Sequence, residues 1–115
     1  MAIQTATMKN TLSDAYKAAA AWMAAYTTAP GASAGTEPSG GSPAYARKAP
    51  SWGTSTAGVV SATAVTFDIP AGATIVGCGF HTAVTAGTYL DGASVTSQAF
   101  ASQGTYAITP TYTQT

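Results

Sequence analysis

Apolar residues recur at three- and four-residue spacing near the start of the chain, a pattern typical of one helix face. The series is Met8, Leu12, Ala15, Tyr16, Ala19, Met23 and Tyr26. Thr5 or Thr7 can supply the side-chain oxygen that caps the first turn, and neither Gly nor Pro interrupts the run. Periodicity alone therefore predicts a helix that continues through most of residues 1–28.

A strict alternation marks residues 65–69, where Val65, Phe67 and Ile69 are apolar and the two residues between them are polar. This period of two predicts a half-buried antiparallel strand. The next four residues, Pro-Ala-Gly-Ala, predict a tight turn, because Pro suits a corner position and Gly tolerates positive φ. Residues 74–80 are mostly apolar and predict a second strand that is buried more fully.

Further turn signals divide the rest of the chain at residues 85–88, 90–93 and 102–104, and the Asp91-Gly92 dipeptide is the better hairpin signal. Residues 97–100 and 105–109 flank the last turn and predict strands. Turns at intervals of about 8–12 residues favour an antiparallel β-sandwich or a small barrel. We therefore expect a mainly β fold, an antiparallel β-sandwich with one short N-terminal α-helix.

The chain divides into three zones within a single domain. Residues 1–28 form a helix-bearing docking arm, residues 29–43 form a loop rich in Pro, Gly and Ser, and residues 44–115 form the β-sandwich body. A loop of this length in a compact domain is usually functional or is held by a neighbouring segment.

Charge is scarce, which excludes several classes of protein. The chain has 4 Lys+Arg and 4 Asp+Glu, a net charge of zero and only 7% charged residues. Binding to nucleic acid needs a surplus of basic residues, and a disordered charged tail needs charge, so we expect neither. A free monomer with so few charges tends to associate, and this predicts a homo-oligomer within an assembly. Charge content does not determine the symmetry of that oligomer, for which we take a trimer as the expectation.

No pattern of catalytic or ligand-binding residues emerges. His81, Asp68 and Asp91 could nominally serve a serine nucleophile, but no Gly-x-Ser-x-Gly motif is present, and Asp residues beside turns usually cap backbone N–H groups. One His, one Cys and four scattered carboxylates do not supply a zinc site, and no phosphate-binding loop occurs. We therefore expect no enzymatic activity, no metal and no cofactor, with Cys78 acting as a small buried hydrophobe.

Membrane and targeting signals are weak. The longest small-apolar stretch, residues 18–25, is too short and too Ala-rich for a membrane span, and Asp14 interrupts any leader-like segment. We expect synthesis in a host cytoplasm and no membrane association. All four basic residues precede residue 49, and the adjacent pair Arg47 and Lys48 is a candidate contact with neighbouring subunits.

Several strings of turn and strand residues resemble a family of small structural proteins of tailed bacteriophages, often labelled tail fibre proteins. The strings lie at residues 20–30, 35–42, 45–48, 64–72, 79–80, 87–90 and 92–93. The resemblance covers roughly residues 20–110 and implies a virion protein without catalytic residues. It also implies a strand over residues 21–28, so we end the helix near Ala19. The chain departs from the family at Ala29, where the family usually has Asp.

The resemblance implies a non-enzymatic virion protein, and we expect a capsid decoration or cement subunit that docks on the major capsid protein. The alternative is a tail-fibre or tail-tip component that contacts the host surface. The candidate assembly residues are Met8, Leu12, Tyr16, Arg47 and Lys48. Trp52 and Tyr89 are the candidate exposed side chains for surface contact, for example with host sugars.

Overall fold

The N-terminal segment forms a helix and then a strand, as the family resemblance implied. The computed structural model describes residues 3–114. Helix α1 spans Ala6–Ala19, and the Thr5 side chain caps it by accepting from the N–H of Met8 at 3.2 Å. Strand β1 then spans Trp22–Tyr26. The long helix predicted from periodicity alone is wrong, because four consecutive residues of β1 are fully buried in a sheet, which a continued helix would not allow.

Six further strands complete the described part of the chain, and every pairing is antiparallel. They are β2 (Val59–Ser61), β3 (Val65–Ile69), β4 (Thr74–His81), β5 (Tyr89–Ala99), β6 (Gly104–Ile108) and β7 (Thr111–Thr113). The main sheet has the order β1-β4-β5, and β2 with β7 and β3 with β6 form two-stranded sheets. The expected mainly β fold with one short helix is confirmed.

The core lies where the main sheet faces the β3–β6 ribbon. Val65, Phe67 and Ile69 are buried and Thr66 between them is exposed, which confirms the predicted alternation. β4 is buried along most of its length, also as predicted. The remaining core is completed by a small set of side chains: Ala20, Met23, Ala25, Ile75, Cys78, Phe80 and Phe100. Three of these seven, Ala20, Ala25 and Cys78, have small side chains that remove little apolar area from water.

The segment between β1 and β2 wraps around the sheet without forming a helix or strand of its own in residues 27–58. Its backbone covers the outer edge of β1, where the N–H of Met23 donates to the carbonyl of Lys48 at 2.7 Å and the reverse bond is 3.0 Å. The N–H of Ala25 donates to the Tyr45 hydroxyl at 3.0 Å. This edge of the main sheet is therefore paired within the chain, which removes one site of strand addition.

The hairpin turn predicted at residues 90–93 is wrong, because these residues lie inside β5 and pair with β4. An Asp-Gly dipeptide favours a turn, but at this position glycine is needed because there is no room for a side chain. A Cβ at Gly92 would stand 2.5 Å from the Tyr89 hydroxyl and 2.9 Å from both the Cys78 carbonyl oxygen and Pro30 Cβ. Gly92 thus serves close packing within a strand, and the chain reverses instead at residues 82–88.

Gly79→Ala tests this close packing in the main sheet. A Cβ at Gly79 would stand 2.5 Å from the Tyr26 hydroxyl and 2.9 Å from the Asp91 carbonyl oxygen, so the strands must shift. We expect urea denaturation to show a loss of about 1–3 kcal/mol in the free energy of unfolding. Gly31→Ala is the matched control, since no atom lies within 4 Å of its added Cβ, and it should change stability by less than about 0.5 kcal/mol. Equal losses in the two variants would contradict this description of the sheet.

Candidate assembly and contact surfaces

Arg47 joins two long loops through five hydrogen bonds. Its Nε and Nη2 donate to the carboxylate of Glu37 at 2.8–3.2 Å, which fixes residues 29–43. Its Nη1 donates to the carbonyls of Ala83 and Ala86 at 2.9 and 2.8 Å, which fixes the β4–β5 connection. Ala86 has a φ of +53°, a left-handed conformation that is unfavourable for a residue with a side chain, so the bond to Arg47 helps to stabilise it.

The protonation states of this cluster favour the ionised pair. Burial alone raises the pKa of Glu37, but hydrogen bonds from Arg47 and Tyr45 outweigh it and hold that pKa below its ordinary value. The hydrogen bond to Glu37 in turn raises the pKa of Arg47. Tyr45 donates its hydroxyl to Glu37 at 2.8 Å, and burial raises the pKa of Tyr45. The pair therefore stabilises the fold above the unfolded-state pKa of Glu37, and its contribution is lost as acidification protonates that carboxylate.

Several polar side chains of helix α1 contact the body of the protein. Ser13 is fully buried and donates its hydroxyl to the carbonyl of Gly58 at 2.8 Å, and the Gly58 N–H donates to Asn10 at 2.9 Å. Lys17 donates to the carbonyl of Gly53, and Ser55 donates to Asp14. Polar contacts therefore hold much of the helix against the segment that precedes β2.

Two apolar side chains of α1 are exposed to solvent. Met8 is 48% exposed and Leu12 is 36% exposed, although both belong to the series from which the helix was predicted. Both residues were candidate assembly residues, and the structure leaves their side chains accessible. Whether they contact another subunit stays a prediction.

Tyr16, the third candidate of the helix, is held within the chain. Its ring stacks on Tyr112 at 3.8 Å between centroids and meets Trp52 and Phe80 edge-on. Its hydroxyl donates to Asp91 at 2.7 Å, and burial, followed by this bond, raises the pKa of Tyr16. The cluster forms one side of a groove of about 380 Å³ between β5 and residues 108–113, and Cys78 and Phe80 lie among its lining residues.

The other candidates also have partners inside the chain. Lys48 forms an ion pair with Asp68 at 3.7 Å, and Arg47 is engaged as described above. Trp52 is half-buried and donates its indole N–H to the carbonyl of Ala20 at 3.2 Å. Tyr89 is half-buried and donates its hydroxyl to the carbonyl of Gly31 at 2.9 Å. Trp52 lies against Tyr16, whereas Tyr89 packs beside Tyr26 and His81, so the two residues belong to separate clusters.

The side chains that could take part in catalysis are buried or hydrogen-bonded within the fold. His81 ends the central strand of the main sheet, is 4% exposed, and its Nε2 lies 2.5 Å from the Tyr26 hydroxyl. Burial, with a contribution from Arg47, lowers the pKa of His81, so the neutral ring is the favoured form. Burial raises the pKa of Cys78, which favours the unreactive thiol. Asp91 was expected to cap a turn, but it accepts hydrogen bonds from Tyr16 and from the N–H of Gly92 within a strand.

Residues 3–114 contain no group of three or more His, Cys, Asp or Glu side chains arranged to hold a metal ion. None of the helices in those residues has the length and apolar character needed to span a membrane.

Comparison with known proteins places the chain in a family of phage proteins. A family model described as podophage GP4 fiber I protein gp80 matches residues 3–112, nearly the whole chain. No curated protein and no solved structure matches it significantly. The chain therefore belongs to the podophage GP4 fiber I protein gp80 family. It is a structural protein of a bacteriophage virion, as the sequence resemblance indicated.

Sequence reasoning missed two features of these surfaces. The first is the role of Glu37, which lies in a stretch of Gly, Pro and Ser and has no local partner in sequence. The second is the orientation of α1, because spacing identifies an apolar face without showing whether that face turns inward. The role of Glu37 had one signal in the sequence, which is that it is a charged residue isolated in a long polar loop. The burial of Ser13 had no such signal.

Replacement of Arg47 tests the joint between the two loops. Arg47→Ala leaves a half-buried Glu37 carboxylate and two carbonyl groups without their donor, so we expect a loss of about 2–3 kcal/mol in the free energy of unfolding. Lys48→Ala is the adjacent control and should cost at most about 1 kcal/mol, because that ion pair is longer and more exposed. Chemical denaturation at neutral pH measures both. A loss in Arg47→Ala no larger than in Lys48→Ala would contradict the role assigned to Arg47.

Proposed function

We propose that the chain is a non-enzymatic subunit of the phage tail-fibre apparatus that acts by assembling with other virion proteins. The observation that carries this proposal is the family match over residues 3–112, whose description names a fibre protein. Capsid decoration was the first expectation from the sequence, and no described residue favours it over the fibre assignment. The fibre proposal therefore takes precedence.

The shape and surface of the chain support an assembly role. The molecule measures 48 × 25 × 25 Å, which is elongated for a small domain. Its net charge is zero, so copies placed beside one another repel only weakly. The exposed Met8 and Leu12 offer apolar contact area to a neighbouring subunit.

The engagement of the reactive side chains supports a non-enzymatic role. His81 is buried against a tyrosine hydroxyl, and Asp91 is bound by Tyr16. The Cys78 thiol is buried and favours its protonated form. Contact with the host surface remains part of the proposal, but Trp52 and Tyr89 would have to act through only part of their side chains because both are half-buried.

Localisation on purified particles tests the fibre proposal. Antibodies against the chain, detected by gold labelling in electron microscopy, should mark the tail region, and quantitative mass spectrometry should give few copies relative to the major capsid protein. An antibody against the major capsid protein is the control for access to the particle. Labelling spread over the capsid, with copy numbers that scale with the capsid lattice, would favour decoration instead. Absence from particles would overturn both.

A further inference from the structure

The groove between β5 and residues 108–113 has an apolar interior and a single charged group. Met23, Cys78 and Phe80 are buried side chains that line it. Among the described residues that line the groove, Asp91 is the one charged residue, and none is Lys or Arg. The volume of about 380 Å³ lies within the range of sites that hold a ligand in proteins. The groove therefore combines apolar contact area with a net negative charge.

The Asp91 carboxylate is held in one orientation by two neutral donors. The Tyr16 hydroxyl donates to Oδ2 at 2.7 Å, and the Gly92 N–H donates to Oδ1 at 2.9 Å. Asp91 is exposed, and no Lys or Arg within residues 3–114 forms an ion pair with it. A carboxylate oxygen accepts up to two hydrogen bonds, so each oxygen has a further acceptor position beyond these two bonds. The groove thus presents a preorganised carboxylate to a cation.

Two stacked tyrosine rings lie beside this carboxylate. The ring centroids of Tyr16 and Tyr112 are 3.8 Å apart, and the planes of the rings differ by 13°. Both residues line the groove, and Tyr112 is half-buried. A cationic group is attracted to the face of an aromatic ring, and a planar guanidinium also stacks on it. The rings and the carboxylate therefore favour the same kind of occupant, an organic cation with an apolar stem.

We propose that this groove binds an arginine side chain presented by another virion protein. The parallel N–H groups of a guanidinium match the two oxygens of Asp91, one bond to each. The aliphatic stem of the arginine then lies against Phe80 and the stacked tyrosine rings, where it loses contact with water. A lysine side chain would supply the positive charge but not the planar fork, so it fits the carboxylate less well.

A second copy of this chain does not fit as the source of the arginine. The chain contains one Arg, and the guanidinium of Arg47 is bonded to Glu37 and to the carbonyls of Ala83 and Ala86. Moving Arg47 into a neighbouring groove would leave these acceptors without their donor. The arginine therefore comes from a different protein. That this protein belongs to the virion rests on the proposed function, whereas the preference for arginine rests on the groove alone.

Titration of the purified full-length chain with N-acetyl-arginine amide, followed by NMR, tests the preference. The backbone amides of Asp91, Gly92 and Tyr112 should shift as the ligand is added. N-acetyl-lysine amide should bind several-fold more weakly, and N-acetyl-norleucine amide, which has an apolar stem without a charge, should not bind measurably. Equal binding of the arginine and lysine amides would overturn the proposal. So would the absence of shifts at these amides in a large excess of the arginine amide.

Asp91→Asn removes the charge of the groove and keeps the shape of the side chain. It should weaken binding of the arginine amide by about tenfold or more, because a hydrogen bond to a charged group is lost. Asp68→Asn is the matched control, since Asp68 is paired with Lys48 outside the groove, and it should bind as the wild type does. Circular dichroism verifies that both variants fold. Equal weakening in the two variants would overturn the role of Asp91.

The amount of the chain in assembled particles tests the source of the arginine. Phage encoding Asp91→Asn should carry several-fold less of the chain, relative to the major capsid protein, than phage encoding Asp68→Asn. Quantitative mass spectrometry of purified particles measures both. Equal amounts would overturn a virion protein as the source and leave the preference of the groove intact. Absence of the wild-type chain from particles would instead overturn the proposed function, and with it the assignment of the source.

Discussion

The shortage of large apolar side chains is the constraint on which the rest of this structure depends. A core rich in alanine and glycine stabilises long connections weakly, because hydrophobic stabilisation scales with the apolar area removed from water. Buried hydrogen bonds and one partly buried ion pair take over part of that role. The Arg47–Glu37 pair is the clearest case, since it joins residues 29–43 to the β4–β5 connection and draws in Tyr45.

The same solution recurs where α1 meets the body. Ser13 and Asn10 form directed bonds to Gly58, whose φ of +83° presents its backbone groups to the helix. The side chains of Met8 and Leu12 on the same helix stay exposed. A small core and exposed apolar side chains on the helix both fit a protein that associates with other components of the virion.

Short sequence patterns correctly predicted those strands and turns whose conformation is set by residues close to them in sequence. The strand over residues 65–69 was predicted to the residue, and the turn at residues 70–73 follows from Pro and from a glycine with φ of +85°. Asp91-Gly92 was misassigned because its local preference for a turn yields to strand pairing and to contacts with Pro30 and Cys78. Spacing alone also carried the helix past Ala19, and the boundary between α1 and β1 was predicted correctly only from the family resemblance.

Native-state hydrogen exchange of the full chain tests most directly whether polar contacts make the long wrapping segment part of the folded unit. The amide of Ala25 is bonded to Tyr45, and that of Thr36 is bonded to the Thr28 side chain at 2.8 Å. We expect both amides to exchange as slowly as those of β4, through one cooperative opening. Exchange of Thr36 at the rate of an unstructured peptide, with β4 still protected, would contradict it.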